Sequence, residues 1–594
     1  MRIKRRQIPT AGMTTVSEHP LLNRIYLARG ITQTSMLDNN LKMLISPALL
    51  KNIDKAVERL AKAVMTHENI LVIGDFDADG ATSTSIAISA LKLLGAQSVN
   101  FLVPNRFEFG YGLSPEIVEH ALPLKPSLLV TVDNGISSFE GVDKANEHGI
   151  DVVITDHHLS SDQLPNAYAI VNPNQPNCEF PSKAIAGCGV IFYVMMALRR
   201  HLANLEWFQS AGIPEPNMAE LLDLVALGTV ADVVPLDQNN RIMVDQGLQR
   251  IRAGRCRPGI KALLKIAGRD IDRIKETDLG YAIAPRLNAA GRLDDMSLGI
   301  ACLLAGSDEK ANQLASQLDE LNQTRRQIEL TMKEQALDTI QKLSKSMANS
   351  GQLPLGLAMY DPEWHQGVIG ILAGRIKEKY HRPVVAFARG DEGELKGSAR
   401  SIHGLNIRDV LADIDREAPD MIIKFGGHAM AAGLSLRAER FEQFKAAFNQ
   451  VVSQHIDESD CRGLIWTDGE LLPEWMTLET AQLLQRSGPW GQQFPEPCFD
   501  GVFELLDQRI VGGHHLKMSL SPAGNKSVID AIAFNVDTRR WPNHHAKTIH
   551  IAYKLDINHY QGRSRLQILV DALNLHQQTQ PTAIVSEPSV DYVW

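Results

Sequence analysis

The chain of 594 residues contains few cysteines, and their spacing excludes two common ways of stabilising a small domain. None of them stands in a C-x-x-C pair, which argues against a zinc ribbon and against a disulfide framework. Scattered cysteines are typical of a reducing compartment, so the sequence predicts a cytoplasmic protein. The six cysteines are Cys178, Cys188, Cys256, Cys302, Cys461 and Cys498.

Long hydrophobic runs are also missing. No apolar stretch approaches the roughly 20 residues that a membrane-spanning helix needs, so we expect no membrane span. The chain starts with the basic run MRIKRRQIPTAG, but no apolar core follows it, and we therefore expect no secretory signal. Hydrophobic residues make up 44% of the chain and charged residues 22%, as is ordinary for globular protein. The length predicts about three or four domains.

Positive charge is not in excess. The formal net charge is −9, so the global charge gives no support to nucleic-acid binding. A binding groove needs only a local positive stripe, however, and a carboxylate-rich site adds negative charge of its own. Each basic residue in a Gly-, Ser- or Asn-rich turn could line such a groove or belong to a solvated face. These residues are Arg106, Arg286, Arg292, Lys396, Arg400, Arg408 and Lys424.

Acidic and imidazole side chains follow three short apolar runs. The runs are ILVIG, LLVTV and VVIT, and the segments after them are D-F-D-A-D-G, D-N-G and D-H-H. Buried parallel strands read as such runs, and ligands bind beyond their carboxyl ends. A single D-x-D segment is as well explained by a turn, but three consecutive strand ends are not. The side chains expected at one edge of the sheet are Asp75, Asp77, Asp79, Asp133, His157 and His158.

This set of side chains predicts a metal site. Crowded carboxylates repel one another, so a bound cation is the natural reason to gather them. Carboxylates with one imidazole favour Mg²⁺ or Mn²⁺, whereas Zn²⁺ usually brings cysteine or more histidine. Asp133 stands between the other clusters in the sequence and is expected to bridge two ions about 3.5–4 Å apart. Two such ions activate water and stabilise the leaving oxygen of a phosphodiester, which predicts phosphoryl hydrolysis.

The order of the elements predicts an α/β protein with several domains. Strands that alternate with helices indicate a parallel sheet, and five short strand-like runs near the end indicate a barrel of OB type. Asp308–Met347 lacks Gly and Pro and has helical periodicity, so it predicts a long helix that connects domains rather than a coiled-coil seam. The expected regions are 1–66 (N-terminal helical), 67–300 (parallel-sheet α/β), 301–348 (long helix), 349–455 (second α/β), 456–575 (OB-like, nucleic-acid-binding) and 576–594 (flexible tail).

The motifs resemble those of the DHH phosphoesterase superfamily. The series D-F-D-A-D-G, V-D-N-G, D-H-H and T-V-A-D is similar to its DHH domain, and G-S-A-R-S with G-G-H-A-M-A-A-G to its DHH-associated domain. Three longer segments narrow the resemblance to the RecJ family of bacterial single-strand-specific DNA exonucleases. They are V-P-N-R-F-x-x-G-Y-G-L-S, A-P-R-L-N-A-A-G-R-L-D-D and D-P-E-W-H-Q-G-V-I-G-I-L-A. The resemblance covers about residues 20–573 and implies 5′-to-3′ hydrolysis of single-stranded DNA in recombination and repair.

The resemblance also implies roles for individual residues. Asp75 is implied either as a catalytic metal ligand or as a hydrogen-bonding partner of one, and His158 supports the scissile phosphate or the departing oxygen. The implied metal ligands are Asp77, Asp79, Asp133, His157 and Asp232. The implied substrate-binding residues are Arg286 and Asn288 on the DNA backbone, and Arg106, Ser398, Arg400 and His428 at the 5′ end of the strand.

Some of these assignments have a plainer alternative. Asp232 follows an apolar helix-like run and could be only a helix cap, and His428 could be a turn histidine. Aromatic side chains of the C-terminal region could stack bases on the barrel or pack in a core. These aromatic residues are Trp466, Trp475, Trp490, Phe494 and Tyr560.

Two other functions are alternatives to the exonuclease. A DHH-type phosphodiesterase for short oligonucleotides or cyclic dinucleotides would not need the N-terminal region, the long helix and the barrel. A non-catalytic replication or scaffold protein on a degenerate DHH fold would be expected to lack some of the carboxylates, and all are present. The family implies Mn²⁺ or Mg²⁺ as cofactor. It implies single-stranded DNA, single-strand-binding protein and a RecQ-type helicase as partners.

Overall fold

The chain forms two compact units. A computed structural model describes residues 2–8, 15–104, 112–346, 353–391, 393–522, 524 and 527–575. Of these residues, the barrel unit takes those within Met1–Gln33, Gly463–Ser487 and Glu496–Trp594. The sheet unit takes those within Thr34–Arg462 and Gly488–Pro495.

The strands and helices follow each other in both units. The strands are β1 (Arg2–Arg5), β2 (Asn69–Ile73), β3 (Ser98–Leu102), β4 (Leu128–Val132), β5 (Asp151–Thr155), β6 (Ala169–Val171), β7 (Leu357–Tyr360), β8 (Val384–Arg389), β9 (Glu394–Arg400), β10 (Lys424–Gly427), β11 (Ala431–Arg437), β12 (Leu464–Thr467), β13 (Phe499–Val511), β14 (His515–Pro522), β15 (Ile529–Ala533), β16 (Thr548–Tyr560) and β17 (Arg563–Leu575). The helices are α1 (Pro20–Leu27), α2 (Ile53–Met65), α3 (Ala78–Leu93), α4 (Pro115–Ala121), α5 (Phe139–Glu147), α6 (Gly187–Asn204), α7 (Trp207–Ser210), α8 (Leu222–Ala231), α9 (Gln238–Arg252), α10 (Pro258–Ile266), α11 (Glu276–Asp278), α12 (Ala284–Leu293), α13 (Ser297–Leu303), α14 (Asp308–Ser346), α15 (Ile369–Tyr380), α16 (Ile407–Glu417), α17 (Phe441–His455) and α18 (Leu478–Arg486).

The first sheet of the sheet unit is parallel and has the order β3-β2-β4-β5-β6. Every residue of β4 is buried, as its apolar run LLVTV predicts for a strand covered on both faces. On one face, Ile117 of α4 and Val142 of α5 pack into a core with Leu129. The helices α3, α6 and α8 pack against one another. The predicted parallel α/β domain is therefore confirmed.

The long helix α14 leads to a second sheet with the order β10-β11-β9-β8-β7. The helix packs against α10, α12, α13 and α15, so it connects elements of one unit, as expected of a connector. Met332 and Ala336 of α14 share a core with Leu372 of α15, whereas the core on α16 and α17 contains Ile414 and Phe448. The predicted helix end at Met347 lies outside the described residues.

The barrel unit contains a closed barrel with the order β13-β14-β15-β17-β16, which confirms the predicted OB-like barrel. The N-terminal region, expected to be helical, begins instead with β1, which pairs in parallel with β12. The pairing is favoured because Ile3 and Ile465 pack on the same small core beside Cys498. The expected flexible tail, 576–594, lies outside the described part of the chain.

Candidate metal centre

The carboxyl ends of three neighbouring strands meet in the sheet unit. β2, β4 and β5 are adjacent and parallel. Asp75 follows the end of β2, Asp133 directly follows β4, and His157 follows β5 after one intervening residue. Asp232 is the C-cap residue of α8, and its carboxylate Oδ2 lies 3.5 Å from His157 Nε2. Asp232 is therefore at a helix end, as the plainer alternative required, but it also reaches the imidazole.

Close backbone packing shapes the D-F-D-A-D-G loop. Asp77 is the N-cap of α3, and its Oδ1 accepts a hydrogen bond from the backbone N–H of Gly80 at 3.0 Å. A Cβ added at Gly80 would lie 2.5 Å from the carbonyl oxygen of Asp75, so this turn requires glycine. Asp79 lies in the first turn of α3 and is only 1% exposed. One short segment therefore supplies three carboxylates.

Asp133 adopts a left-handed backbone conformation with φ of 62°. Aspartate tolerates this region better than most residues. Its backbone N–H donates to the carbonyl oxygen of Thr155 at 3.0 Å and so extends the contact between β4 and β5. A Cβ added at Gly187, the first residue of α6, would lie 2.5 Å from Asp133 Oδ1. Helix α6 can therefore approach this carboxylate only with glycine at its first position.

The N-terminus of α6 also binds the carboxylate of Asp79. The backbone N–H of Gly187 donates to Oδ2 at 2.7 Å, and that of Cys188 donates to Oδ1 at 3.0 Å. A helix N-terminus offers such N–H groups together with partial positive charge, which favours an anion there. Gly187 and Cys188 were not among the residues predicted from the sequence. The available signal was the glycine-rich segment A-G-C-G-V at the start of an apolar helical run.

Ligand atoms form three overlapping clusters among the described residues, each with its atoms within 4.8 Å of one another. Asp133 and His157 each belong to two clusters, and His157 Nε2 lies 3.2 Å from Asp133 Oδ1. The structure therefore brings together the predicted metal ligands with Asp75 and His158. The clusters are Asp75 with Asp77 and Asp133, Asp133 with His157 and His158, and Asp79 with His157 and Asp232.

The electrostatics of these carboxylates fit a cation site. Burial, followed by the charges of Asp232 and Asp77, raises the pKa of Asp79 to about 8. The pKa of Asp133 is raised well above its ordinary value by burial and then by the charge of Asp79, and burial also raises the pKa of Asp232. Burial lowers the pKa of His157, which leaves its imidazole neutral and able to bind a metal. Carboxylate oxygens with neutral imidazole are suitable ligands for Mn²⁺ or Mg²⁺.

Asp156, the first residue of D-H-H, is fully buried and orients His158. Its Oδ1 accepts hydrogen bonds from His158 Nδ1 at 2.7 Å and from the backbone N–H of His157 at 2.7 Å, and its Oδ2 accepts from the N–H of Ile136 at 2.9 Å. Burial acts to raise the pKa of Asp156, but the hydrogen bond and charge of His158 lower it to about 2. Burial acts to lower the pKa of His158, but Asp156 raises it to about 9. No role was predicted for Asp156 from the sequence, although the D-H-H motif contains it.

The two residues predicted to contact the DNA backbone lie on α12. The guanidinium of Arg286 donates to Asp319 Oδ1 of α14 through Nε at 2.8 Å, with Nη2 2.7 Å from the same oxygen. Asn288 Oδ1 accepts a hydrogen bond from the backbone N–H of Ala78 at 2.8 Å. The structure thus connects Arg286 to the long helix and Asn288 to the D-F-D-A-D-G loop.

The residues predicted to hold the 5′ end lie on the second sheet. Arg400 Nη1 donates to Ser398 Oγ at 3.0 Å, so β9 brings these two side chains together. Arg400 is paired in register with Ala431, whose carbonyl oxygen accepts the N–H of His428 at 2.8 Å. The rings of His428 and His158 are stacked with centroids 6.3 Å apart, which places His428 beside the metal centre. Arg106 lies outside the described residues.

The candidate base-stacking aromatic residues lie in different environments. Trp490 and Phe494 are buried, and their rings are stacked 5.1 Å apart in the sheet unit, so they pack in a core. Trp466 lies on β12 with Lys4 Nζ 5.2 Å from its ring centroid, and Trp475 is 6.0 Å from the ring of His19. The side chain of Tyr560 lies outside the described part of the chain.

The fold and the site define the class of protein. Residues 69–229 match the DHH family, N-terminal domain, residues 354–454 match the DHHA1 domain, and residues 467–572 match the RecJ OB domain. Within the described residues, no helix is both long and apolar enough to cross a membrane. The superfamily resemblance drawn from the motifs is therefore confirmed.

Similar proteins show to which family within this class the chain belongs. The chain is 53% identical to the single-stranded-DNA-specific exonuclease RecJ of Escherichia coli (strain K12), over 96% of this chain and 98% of that protein. It is 54% identical to the RecJ of Dickeya dadantii (strain 3937), over the same shares. The crystal structure of RecJ in complex with Mn²⁺ from Thermus thermophilus matches with a TM-score of 0.77 and 28% identity, over 98% of this chain and 80% of that chain. The chain belongs to the RecJ family.

Proposed function

We propose that this protein is a single-stranded-DNA-specific exonuclease that hydrolyses phosphodiester bonds from the 5′ end with two divalent ions, Mn²⁺ or Mg²⁺. The observation that carries the proposal is the position of Asp133. Its carboxylate belongs to two of the three clusters of ligand atoms and has two oxygens, so it would be able to bridge two ions. The names of the relatives, which are single-stranded-DNA-specific exonucleases, support the substrate.

The residues of the metal centre have different proposed roles. Two ions held by these residues would supply activation of a water molecule and neutralisation of charge on the departing oxygen. The proposed ligands are Asp77, Asp79, Asp133, His157 and Asp232, with Asp75 as a further ligand or as a partner of one. The imidazolium of His158, held by Asp156, can donate a charge-assisted hydrogen bond to the phosphate. Water adds to phosphorus and one P–O bond breaks, which yields a phosphate monoester and a hydroxyl.

The second sheet is proposed to set the polarity. Arg400 contacts Ser398 on β9, and the ring of His428 lies beside His158 of the metal centre. The guanidinium of Arg400 can hold a terminal phosphate through paired hydrogen bonds. Arg106 is proposed to share this role on the strength of the family resemblance. A role in recombination and repair, contacts with single-strand-binding protein and a RecQ-type helicase, and a cytoplasmic location are likewise proposals from the resemblance.

The proposal is tested with single strands labelled at the 5′ or the 3′ end. We expect hydrolysis from the 5′ end with Mn²⁺ or Mg²⁺, none with chelator, and little on duplex or cyclic dinucleotide. Asp133→Ala should abolish hydrolysis and leave the fold and single-strand binding largely intact. Asp143→Ala, at an exposed position of α5, is the matched control and should cut normally. Normal turnover by a folded Asp133→Ala protein, or degradation from the 3′ end, would contradict the proposal.

A further inference from the structure

Helix α12 lies against the loop that carries Asp75 and Asp77, and we propose that Asn288 of this helix is a positioning residue for metal binding. The inference rests on the proposed two-ion function, and it adds a second role to the DNA contact that the family resemblance implies for Asn288. The juxtaposition that carries it is the hydrogen bond from the backbone N–H of Ala78 to Asn288 Oδ1, 2.8 Å long.

The hydrogen bond acts at the start of α3. The first N–H groups of a helix have no partner within the helix, and Ala78 is the first residue of α3. Asp77, as the N-cap, binds the N–H of Gly80, and Asn288 supplies a second cap from 210 residues along the chain. The bond fixes the peptide between two candidate ligands, Asp77 and Asp79. The position of the Asp77 carboxylate therefore depends on Asn288, whereas the carboxylate of Asp79 is also held by the N–H groups of Gly187 and Cys188.

The backbone of α12 is equally close to the loop. A Cβ added at Gly291, one turn after Asn288, would overlap the carbonyl oxygen of Phe76. The glycine thus lets the helix touch the peptide that precedes Asp77. Two neighbouring peptides of the loop, at Phe76 and Ala78, are held by the same face of one helix. These two contacts support the loop from one side of α12.

The far ends of α12 are themselves fixed. Arg286, at its start, forms a partly buried ion pair with Asp319 of α14 at 2.7 Å. Arg292, at its end, donates from Nη1 to the carbonyl oxygen of Gly367 at 3.0 Å, in the segment before α15. These contacts attach α12 to the long helix and to the second α/β region. Because α12 is held at both ends, it can orient the D-F-D-A-D-G loop that carries the candidate metal ligands.

The test compares two changes at one position by the affinity for Mn²⁺ alone, measured from the electron paramagnetic resonance of free Mn²⁺ without DNA. Asn288→Ala removes the acceptor and should weaken Mn²⁺ binding about 10–100-fold. Asn288→Asp keeps an acceptor oxygen for the N–H of Ala78 and should retain the affinity. With single-stranded DNA, Asn288→Ala should lower kcat while KM stays near the wild-type value. Asn312→Ala, on the exposed face of α14, is the matched control.

If the Asn288 amide serves only to contact a DNA phosphate, we expect the opposite pattern. Mn²⁺ affinity would then be unchanged in both variants, and DNA affinity would fall most in Asn288→Asp, whose charge repels phosphate. That pattern, or equal loss of Mn²⁺ affinity in both variants, would overturn the inference. Wild-type protein that binds Mn²⁺ but does not cut DNA would contradict the proposed function instead, and the comparison of Mn²⁺ affinities would still decide the role of Asn288.

Discussion

Asp156 Oδ1 accepts the Nδ1–H of His158 at 2.7 Å, and the same oxygen accepts the backbone N–H groups of both histidines of the motif. One buried carboxylate therefore fixes the backbone of both histidines and the ring orientation of His158. Such outer partners are worth about 10–100-fold in activity or metal affinity in other metal sites.

Asp156→Asn should lower kcat at least about 10-fold. An amide offers one acceptor oxygen, whereas Asp156 uses both of its oxygens, on His158 and on Ile136. Steady-state kinetics on 5′-phosphorylated single strands measure the loss, with thermal unfolding as a check on the fold. Asp162→Asn, at an exposed position after the same motif, is the control and should behave as wild type. Unchanged kcat in Asp156→Asn would show that His158 does not need this partner.

Substitution of His157 and substitution of His158 should have different effects on Mn²⁺ affinity and turnover. His157→Ala should lose Mn²⁺ affinity, because Nε2 of His157 lies within 3.5 Å of Asp133 and Asp232 carboxylate oxygens. His158→Ala should keep most of the Mn²⁺ affinity and lose turnover, because His158 is assigned to the phosphate. Titration with Mn²⁺ and measurement of kcat for both variants distinguish metal binding by His157 from phosphate contact by His158. Equal loss of Mn²⁺ affinity in the two variants would contradict these separate roles.

The strands of the first sheet and the meeting of polar side chains at their ends could be predicted from the sequence, because buried parallel strands are continuous apolar runs and the polar residues after them stand out. Asp133 and His157 are found by that rule, and the structure places them in contact. Asp156 could not be given a role, since its function depends on a hydrogen bond within a tight turn. Asn288 was recognised by its motif, but its contact with Ala78 joins residues 210 positions apart and needs the folded structure.

Arg400→Ala should reduce the preference for 5′-phosphorylated over 5′-hydroxyl strands. A guanidinium binds a terminal phosphate by charge-assisted hydrogen bonds, whereas a hydroxyl offers it no charge. Competition between the two labelled substrates in one reaction measures the preference directly. Arg437→Ala, at the exposed end of β11, is the control for removal of a positive charge from the same sheet. If the preference is unchanged in both Arg400→Ala and Arg106→Ala, the proposed 5′-end-binding pocket is contradicted.

Phe534→Ala should weaken binding of single-stranded DNA. Phe534 is 56% exposed just after β15, with the ring of His515 of β14 at 5.0 Å, and the β14–β15 face corresponds to the surface that OB folds use for oligonucleotides. Loss of one stacked base costs about 1–3 kcal/mol, or roughly 5- to 150-fold in Kd. Fluorescence anisotropy with labelled oligonucleotide measures it. Leu506→Ala, which removes another exposed apolar side chain of the barrel unit, should leave Kd unchanged. Equal Kd values for both variants would make Phe534 irrelevant to binding.

The last prediction concerns the acid stability of the barrel unit. The carboxylate of Asp500 on β13 accepts hydrogen bonds from Arg5 Nε at 3.1 Å and from Thr467 Oγ1 at 2.5 Å, which ties β1 and β12 to the barrel. Burial acts to raise the pKa of Asp500, but hydrogen bonds from His550, Arg5 and Thr467 outweigh it and hold the pKa well below its ordinary value. The folded state therefore binds fewer protons here than the unfolded state.

A lowered folded-state pKa contributes stability above the unfolded pKa of about 4, and this contribution is lost as pH falls from there toward the folded value. Asp500→Asn should thus lower the free energy of unfolding by about 1.5–3 kcal/mol at neutral pH, the usual worth of hydrogen bonds to a charged group. The difference from wild type should shrink as the pH falls below about 4. Guanidinium unfolding followed by tryptophan fluorescence at several pH values measures this difference. Asp507→Asn, at an exposed position of the same strand, should show no such dependence, and a constant difference for Asp500→Asn at all pH values would contradict the assignment.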